Sequence, residues 1–275
     1  MVRRIGEEMK SRIVKALKAS GIDVKELKEI DVDKGNGEIH HGVNVIRNGT
    51  NMHPTIYIDG VPDDKLVEYI VETAKLPVPF LDESFYTNKE KVLDSVFPCL
   101  INRERNADIL SKAVSKDFLD LSIIYRIDVG YGYITMFREL AEKLEITDEE
   151  LYNAALTNLK GKALVGNLAE VYSNRVDAEE VSNNNPFTIF TNKDMRYGAG
   201  VILDTEILKE NLKGDFYIVP SSIHEMLAIP MGLSNGEIVM LKGIIKVMND
   251  DRLPERDKLS YNLYQWKNGE LSIAE

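Results

Sequence analysis

Cysteine is nearly absent: Cys99 is the only one in 275 residues. No intramolecular disulfide can form, and a reducing compartment, the cytoplasm, is the expected location. Long apolar runs are also missing. No stretch approaches the ~20 residues that a membrane-spanning helix needs, and the opening MVRRIGEEMKSRIVKALK is too broken by charge to hold a secretory apolar region. Positive charge is in deficit, with 34 Lys and Arg against 45 Asp and Glu and a net charge of −11. A duplex-binding surface needs massed Lys and Arg to displace counterions, so nucleic acid is not an expected partner. Several catalytic signatures are lacking too. GYGY and YGAG have neither the spacing nor the Lys-Ser/Thr ending of a phosphate loop. His224-Glu225 is followed by MLAIP, so no H-E-x-x-H zinc helix exists, and no G-x-S-x-G elbow frames a serine. No cofactor and no metal site are expected.

What is present has the composition of a folded chain, with 44% hydrophobic and 29% charged residues. Ile5, Met9, Ile13 and Leu17 recur every four positions, which predicts a helix stopped by Gly21. KELKEIDV and HGVNVIRN flank DKGNGE, whose Asn-Gly predicts a hairpin, and RNGTN leads to a third strand at Thr55–Ile58. Leu66, Val67, Ile70, Val71 and Ala74 give a second helical face that ends at the prolines of LPVPFLDE. A capping box at Thr87–Glu90 predicts a helix through Val92, Val96, Leu100 and Ile101, kinked or broken at Pro98. FLDLSIIYRIDV, Phe118–Val129, reads as one strand returning through Gly130 and Gly132 into YITMF. Thr147–Glu150 caps another helix, and Asn174–Pro186 reads as a long exposed loop. FTIF, GVIL, a short helix near Ile207–Leu212, DFYIV and MLAIPM follow. A final helix capped at Ser234 turns Ile238, Leu241, Ile244, Ile245 and Met248 inward, before a hairpin through Asn268-Gly269. Strands in adjacent pairs with helices between them predict an α+β fold with mainly antiparallel sheet: an N-terminal helix plus β-meander and a larger C-terminal sheet region. The expected division is residues 1–115 and 116–275.

Four groups carry candidate chemistry. Ser221, Ser222, His224 and Glu225 cluster at a turn between two apolar strands. Ser222 and His224 share a face if the chain is extended, which would start an activated nucleophile. Serines after a strand-ending proline also bond local backbone, and a turn histidine often only braces the turn. Asn102, Arg103, Arg105 and Asn106, within NRERN, offer a recognition patch suited to Arg's planar fork, or else a solvated helix face. Both groups converging on one pocket would suit a small anion. Asp120 and Asp128 interrupt an apolar run, with Arg126 as a candidate mate. His40, His41 and His53 fall within the meander but lack zinc spacing, and Cys99 in its apolar setting reads as a buried small hydrophobe.

MHPTIYID, INRERN, FLDLSIIYRI, ITDEELYNAALTN, IVPSSIHEMLAIP and LSYNLYQWKNGELSIA together resemble the bacterial family catalogued as domain of unknown function 5688, from about Lys34 to Ala274. The resemblance implies a bacterial or bacteriophage source and an intracellular location. It places Asn102, Arg105, Asn106, Asp120, Ser221, Ser222, His224 and Glu225 within family motifs. The function expected is non-catalytic: binding or regulation through protein contacts, with a second copy of the chain as one candidate partner. The competing expectation is a hydrolase using the Ser221–Glu225 turn.

Overall fold

The computed structural model describes residues 4–172 and 187–274. The chain divides into two compact units, Met1–Glu83 and Ser84–Glu275. The division expected between residues 115 and 116 does not coincide with this one. It falls inside a strand, Ser115–Phe118, of a sheet in the second unit. The loop expected at Asn174–Pro186 lies wholly outside the described residues.

The first unit is helix α1 (Glu7–Ala19), strands β1 (Val24–Asp33), β2 (Ile39–Arg47) and β3 (Thr55–Tyr57), and helix α2 (Leu66–Ala74). The strands form an antiparallel sheet in the order β1-β2-β3. Gly21, at φ 81°, ends α1 as expected. The Ile22 N–H bonds Leu17 O and the Gly21 N–H bonds Lys18 O, the paired bonds of a Schellman stop. Ile13, Leu17, Val43, Val45, Ile56, Leu66 and Ile70 form the core between sheet and helices.

On the same sheet sits a buried charge cluster. His41 is almost wholly enclosed, with Nδ1 2.6 Å from Asp31 Oδ1 and Nε2 3.1 Å from Glu29 Oε2. Glu29 also accepts the Ile5 N–H and pairs with Lys10 at 3.0 Å, and Arg4 reaches Asp31 at 2.8 Å. Contact with His41 and Arg4 holds the Asp31 carboxyl below the usual range. Burial pushes Glu29 up, but the Ile5 N–H, Lys10 and His41 outweigh it and the net shift is down.

The second unit opens with α3 (Ser84–Thr87) and α4 (Lys89–Ser95). Asn88, not Thr87, caps α4, accepting the Lys91 N–H. The predicted kinked helix then gives way to strand β4 (Val96–Asn102), whose first six residues are all buried. A short apolar run enclosed on both faces has no period that separates strand from helix. Pro98 fits because β4 is an edge strand, where a missing N–H breaks no ladder. α5 (Ala107–Leu110) leads to β5 (Ser115–Phe118) and β6 (Leu121–Asp128). The single strand read at Phe118–Val129 is thus broken at Leu119, which takes φ 52° and turns the chain. β6 pairs with β4 along one edge, and with β5 and then β7 (Tyr133–Thr135) along the other.

After α6 (Arg138–Lys143) comes α7 (Asp148–Lys162), with the predicted Thr147–Glu150 capping box. Lys89 and the Thr147 N–H hold the Glu150 carboxyl down at about 2. β8 (Ala163–Gly166), α8 (Leu168–Val171) and β9 (Thr188–Asn192) follow. GVIL, read as a strand, lies in a wholly buried 3₁₀ segment, Gly198–Leu203. α9 (Thr205–Asn211), β10 (Phe216–Ser222) and β11 (Glu225–Pro230) lead to α10 (Asn235–Val247), capped by Ser234 as predicted. α10 buries Leu241 and Ile245, but Ile244 and Met248 face outward, against expectation. A π-helical turn (Met248–Arg252), a 3₁₀ turn (Glu255–Asp257) and the hairpin β12 (Tyr264–Lys267) and β13 (Glu270–Ile273) close the unit. The larger sheet runs β13-β12-β10-β11-β9-β8, all antiparallel. Among the described residues, no helix is long and apolar enough to cross a membrane.

Two outcomes follow from these contacts. A Cβ at Gly198 would stand 2.4 Å from Thr191 Oγ1 and 2.5 Å from His224 O, whereas one at Gly161 in α7 meets nothing within 4 Å. In urea melts Gly198→Ala loses on the order of 1–3 kcal/mol, and Gly161→Ala changes stability by no more than about 1 kcal/mol, in the stabilising direction. For the first unit, Glu29 and Asp31 have folded pKa values below their unfolded ones. Their contribution is therefore fully present above the ordinary carboxylate range and is lost as pH falls below that range, through their lowered folded values. Amide exchange across β1 and β2 should accelerate over that window, and Glu29→Gln with Asp31→Asn should flatten the dependence.

Candidate functional site

The β10–β11 connection is tight. Val219 pairs with Leu227, the register then shifts, and Ser222 pairs with Glu225. This leaves Ile223 and His224 as the turn, so Ser222 and His224 do not share an extended face. The Ser222 hydroxyl accepts the His224 main-chain N–H at 3.1 Å rather than meeting the ring. His224 Nδ1 accepts the Tyr197 N–H at 3.2 Å, which puts the ring proton on Nε2, 3.4 Å from Asp257 Oδ1. No ring nitrogen is left to take a proton from a serine, so the nucleophile–base pair that a hydrolase needs is not formed. Ser221 donates to Glu225 Oε1 at 3.2 Å, and the Tyr172 hydroxyl donates to Glu225 Oε2.

The second candidate group is equally occupied. Asn102 sits at the end of β4, where its Nδ2 donates to Leu259 O at 2.8 Å and its Oδ1 accepts the Arg105 N–H at 3.0 Å. Asn106 is buried and donates to Asn102 O. Arg103 donates to Leu119 O at 2.9 Å, to Leu121 O at 2.6 Å and to the Ser122 hydroxyl, clamping the β5–β6 turn. Arg105 pairs with Glu255.

The two groups do converge, but on chain rather than on a pocket. Both grip the strap between α10 and β12: Arg105 holds Glu255, the Ile223 N–H holds Asp257 O, His224 faces the Asp257 carboxylate, and Asn102 holds Leu259 O. Asn249 adds a bond to Ser260 O. The strap's far end is fixed by Asp120, which accepts from the Ser260 hydroxyl at 2.6 Å, Asn262 Nδ2 at 2.9 Å and the Tyr264 hydroxyl at 2.5 Å. Burial, then the Asp120 bond, pushes the Tyr264 phenol well above its usual range.

Arg126 pairs with neither Asp120 nor Asp128. Asp128 is matched by Lys162 at 2.8 Å. The Arg126 guanidinium instead lies 4.2 Å over the Tyr197 ring, and its Nε is buried without a hydrogen-bond partner. Tyr197 holds a left-handed backbone, φ 56°, and meets Tyr133 and His224 at ring separations of 5.5 and 5.8 Å. Phe97 completes the aromatic cluster, at 5.2 Å from Tyr133. Sequence reading missed this group; its one local signal was Tyr197-Gly198 after the apolar FTIF. Cys99 is buried as expected, though on a strand, and burial pushes its thiol up to about 12, far from a reactive thiolate. The open cleft nearby, about 290 Å³, is lined by Lys91, Lys162, Asp94 and Asp128 among others. The described residues hold no cluster of His, Cys, Asp and Glu able to take a metal ion. His40 is bonded to Glu38 and lies 3.2 Å from Asp59, and His53 Nδ1 is buried without a hydrogen-bond partner.

Removing the Asp120 carboxylate strands three donors, one of them on a fully buried tyrosine. Asp120→Ala should cost on the order of 3 kcal/mol in a urea melt followed by Trp266, the only tryptophan, which lies on β12. Asp120→Asn keeps one acceptor and should cost less.

No curated protein and no solved structure matches the chain. One family profile does, over residues 6–268, which include the strap and every residue that grips it. The chain therefore belongs to DUF5688, a family of unknown function.

Proposed function

We propose that the protein works without catalysis, as a binding protein acting through protein–protein contacts, and that it pairs with a second copy of itself along the outer face of α10. The observation that carries this is the apolar character of that face. Val239 is 70% exposed, Met240 59% and Val247 51%, with Ile244 beside them. A surface helix of a monomer usually turns charge outward and carries one apolar stripe. α10 already buries such a stripe, Leu241 and Ile245, against Val219, Ile229 and Leu263, so its outer stripe is a second one.

The face also matches itself. Gly243 stands at its centre with open space above its Cα. A glycine in a helix interior costs about 1 kcal/mol relative to alanine, and here it lets a second backbone approach closely. Val239 and Val247 lie four residues either side of it. Two copies crossing antiparallel at Gly243 set these valines against each other across a two-fold axis, as an isologous contact requires. The turn at Ser221–Glu225 supports the same reading by its chemistry: its serines, histidine and glutamate are engaged in local bonds. A reducing cytoplasm suits the buried Cys99 thiol.

Sedimentation at micromolar concentration is the test. The wild-type chain should run at twice 31.1 kDa. Val247→Glu should run as a monomer with an unchanged circular dichroism spectrum. A wild type that stays monomeric, or a dimer indifferent to Val247→Glu, would sink the self-pairing.

A further inference from the structure

We infer a second binding surface, in the first unit, for an extended acidic peptide that adds as a strand to the free edge of β1. β1 is a terminal strand of its sheet. The Ile58 N–H bonds His41 O, so His41 directs its main chain toward the β3 side, and the alternate residues Gly42 and Asn44 direct theirs toward β1. Their partners on β1 are Ile30 and Lys28, which leaves Leu27, Glu29 and Asp31 to present N–H and C=O outward. Among the described residues no main-chain group takes those bonds. A strand ten residues long with an unpaired ladder is a template for another chain.

Beside that edge runs a groove of about 560 Å³, lined by Glu7, Lys10, Ser11, Val14, Lys15 and Lys18 of α1 and by Leu27 of β1. Lys10 is engaged by Glu7 and Glu29. Lys15 and Lys18 are exposed and have no ion pair or hydrogen bond among the described residues, and the same holds for Lys25 and Lys28 on the strand itself. Lys15 and Lys18 are the uncommitted charges that a peptide laid in the groove would meet, in a chain of net charge −11. Of the acidic residues at the edge, Glu29 and Asp31 are tied to His41, Lys10 and Arg4, and Glu7 to Lys10, while exposed Glu26 stands on the strand between Lys25 and Lys28. The occupant this chemistry fits has a main chain free to pair with Leu27 and Glu29 and carboxylates on the side chains facing α1.

Lysines along an edge strand also repel casual strand pairing, so the test must separate strand addition from plain charge attraction. The probe is a labelled peptide of about eight alternating Glu and Thr residues, set against a copy with a central proline and a copy with Lys in place of Glu. Anisotropy should show binding of the first alone, weakened by salt and reduced at least about tenfold by Lys15→Glu with Lys18→Glu. Amide exchange should slow at Leu27, Glu29 and Asp31 when the peptide is bound. Both lysines are exposed on α1, and an unchanged thermal melt will certify the variant's fold. Absence of binding overturns the proposal, as does equal binding of the proline peptide, which would mean charge without pairing. A dimer that survives Val247→Glu and breaks on the lysine reversal would put a second copy on this edge and would overturn it too.

Discussion

One carboxylate ties the second unit together. Asp120 stands at the β5–β6 turn and accepts hydrogen bonds from Ser260, Asn262 and Tyr264. Among the described residues no Lys or Arg forms an ion pair with it, and Arg103, which clamps the turn, donates to Leu119 O, Leu121 O and Ser122. Its charge is satisfied by three donors brought from a distant part of the chain. Tyr264 begins β12, and β12 pairs with β10. β10 in turn carries the turn at Ser221–Glu225. The four-stranded sheet built on β6 and the six-stranded sheet built on β10 are thus joined through one buried polar contact and the strap leading into it.

That dependence gives a structural role to the two most chemical-looking stretches of the sequence. A chain segment without regular pairing, laid across a packed unit, leaves main-chain groups that must find partners. The Ile223 N–H, Asn102 and Asn249 supply them to Asp257, Leu259 and Ser260, and Arg105 pairs with the Glu255 side chain. His224 meets the same strap through Asp257 while its other nitrogen steadies Tyr197. A polar residue set amid apolar strands has two physical explanations, a reactive group or a fixed hydrogen-bond partner. Here Ser221, Ser222, His224, Glu225, Asn102, Arg103, Arg105 and Asn106 each bond a local or strap atom, as the second explanation requires.

What could be read from the sequence was whatever rests on neighbours. Hairpins at Gly35–Gly37, Gly130–Gly132 and Asn268-Gly269 appear where the turn residues set them, and Thr147 and Ser234 cap their helices through bonds spanning three residues. The errors arise where distant packing decides. Val96–Ile101 is buried on both faces, so its apolar run carried no period, and Pro98 suggested a kinked helix rather than an edge strand. Leu119 turns the chain with no glycine to announce it, because Arg103 clamps the carbonyls on either side. GVIL becomes a 3₁₀ turn because Gly200 lies against Pro98 O, where a Cβ would stand at 2.8 Å. The bonds of Asp120 span 140 to 144 residues, and no local pattern reports such a partnership.

The same accounting of polar groups directs attention outward. Inside the second unit the donors and acceptors of both candidate groups are committed, and the apolar surface they do not use is the outer stripe of α10. In the first unit the cluster around His41 absorbs Glu29 and Asp31, and a strand edge is left beside a groove that Lys15 and Lys18 line. An apolar helix face and a basic strand edge recognise different things: the first excludes water from side chains that match its own, the second pairs backbone with backbone under a charge filter. The two proposed contacts together would make the chain a connector, holding its own copy by one surface and an acidic segment by the other, with neither contact requiring a bond to be made or broken.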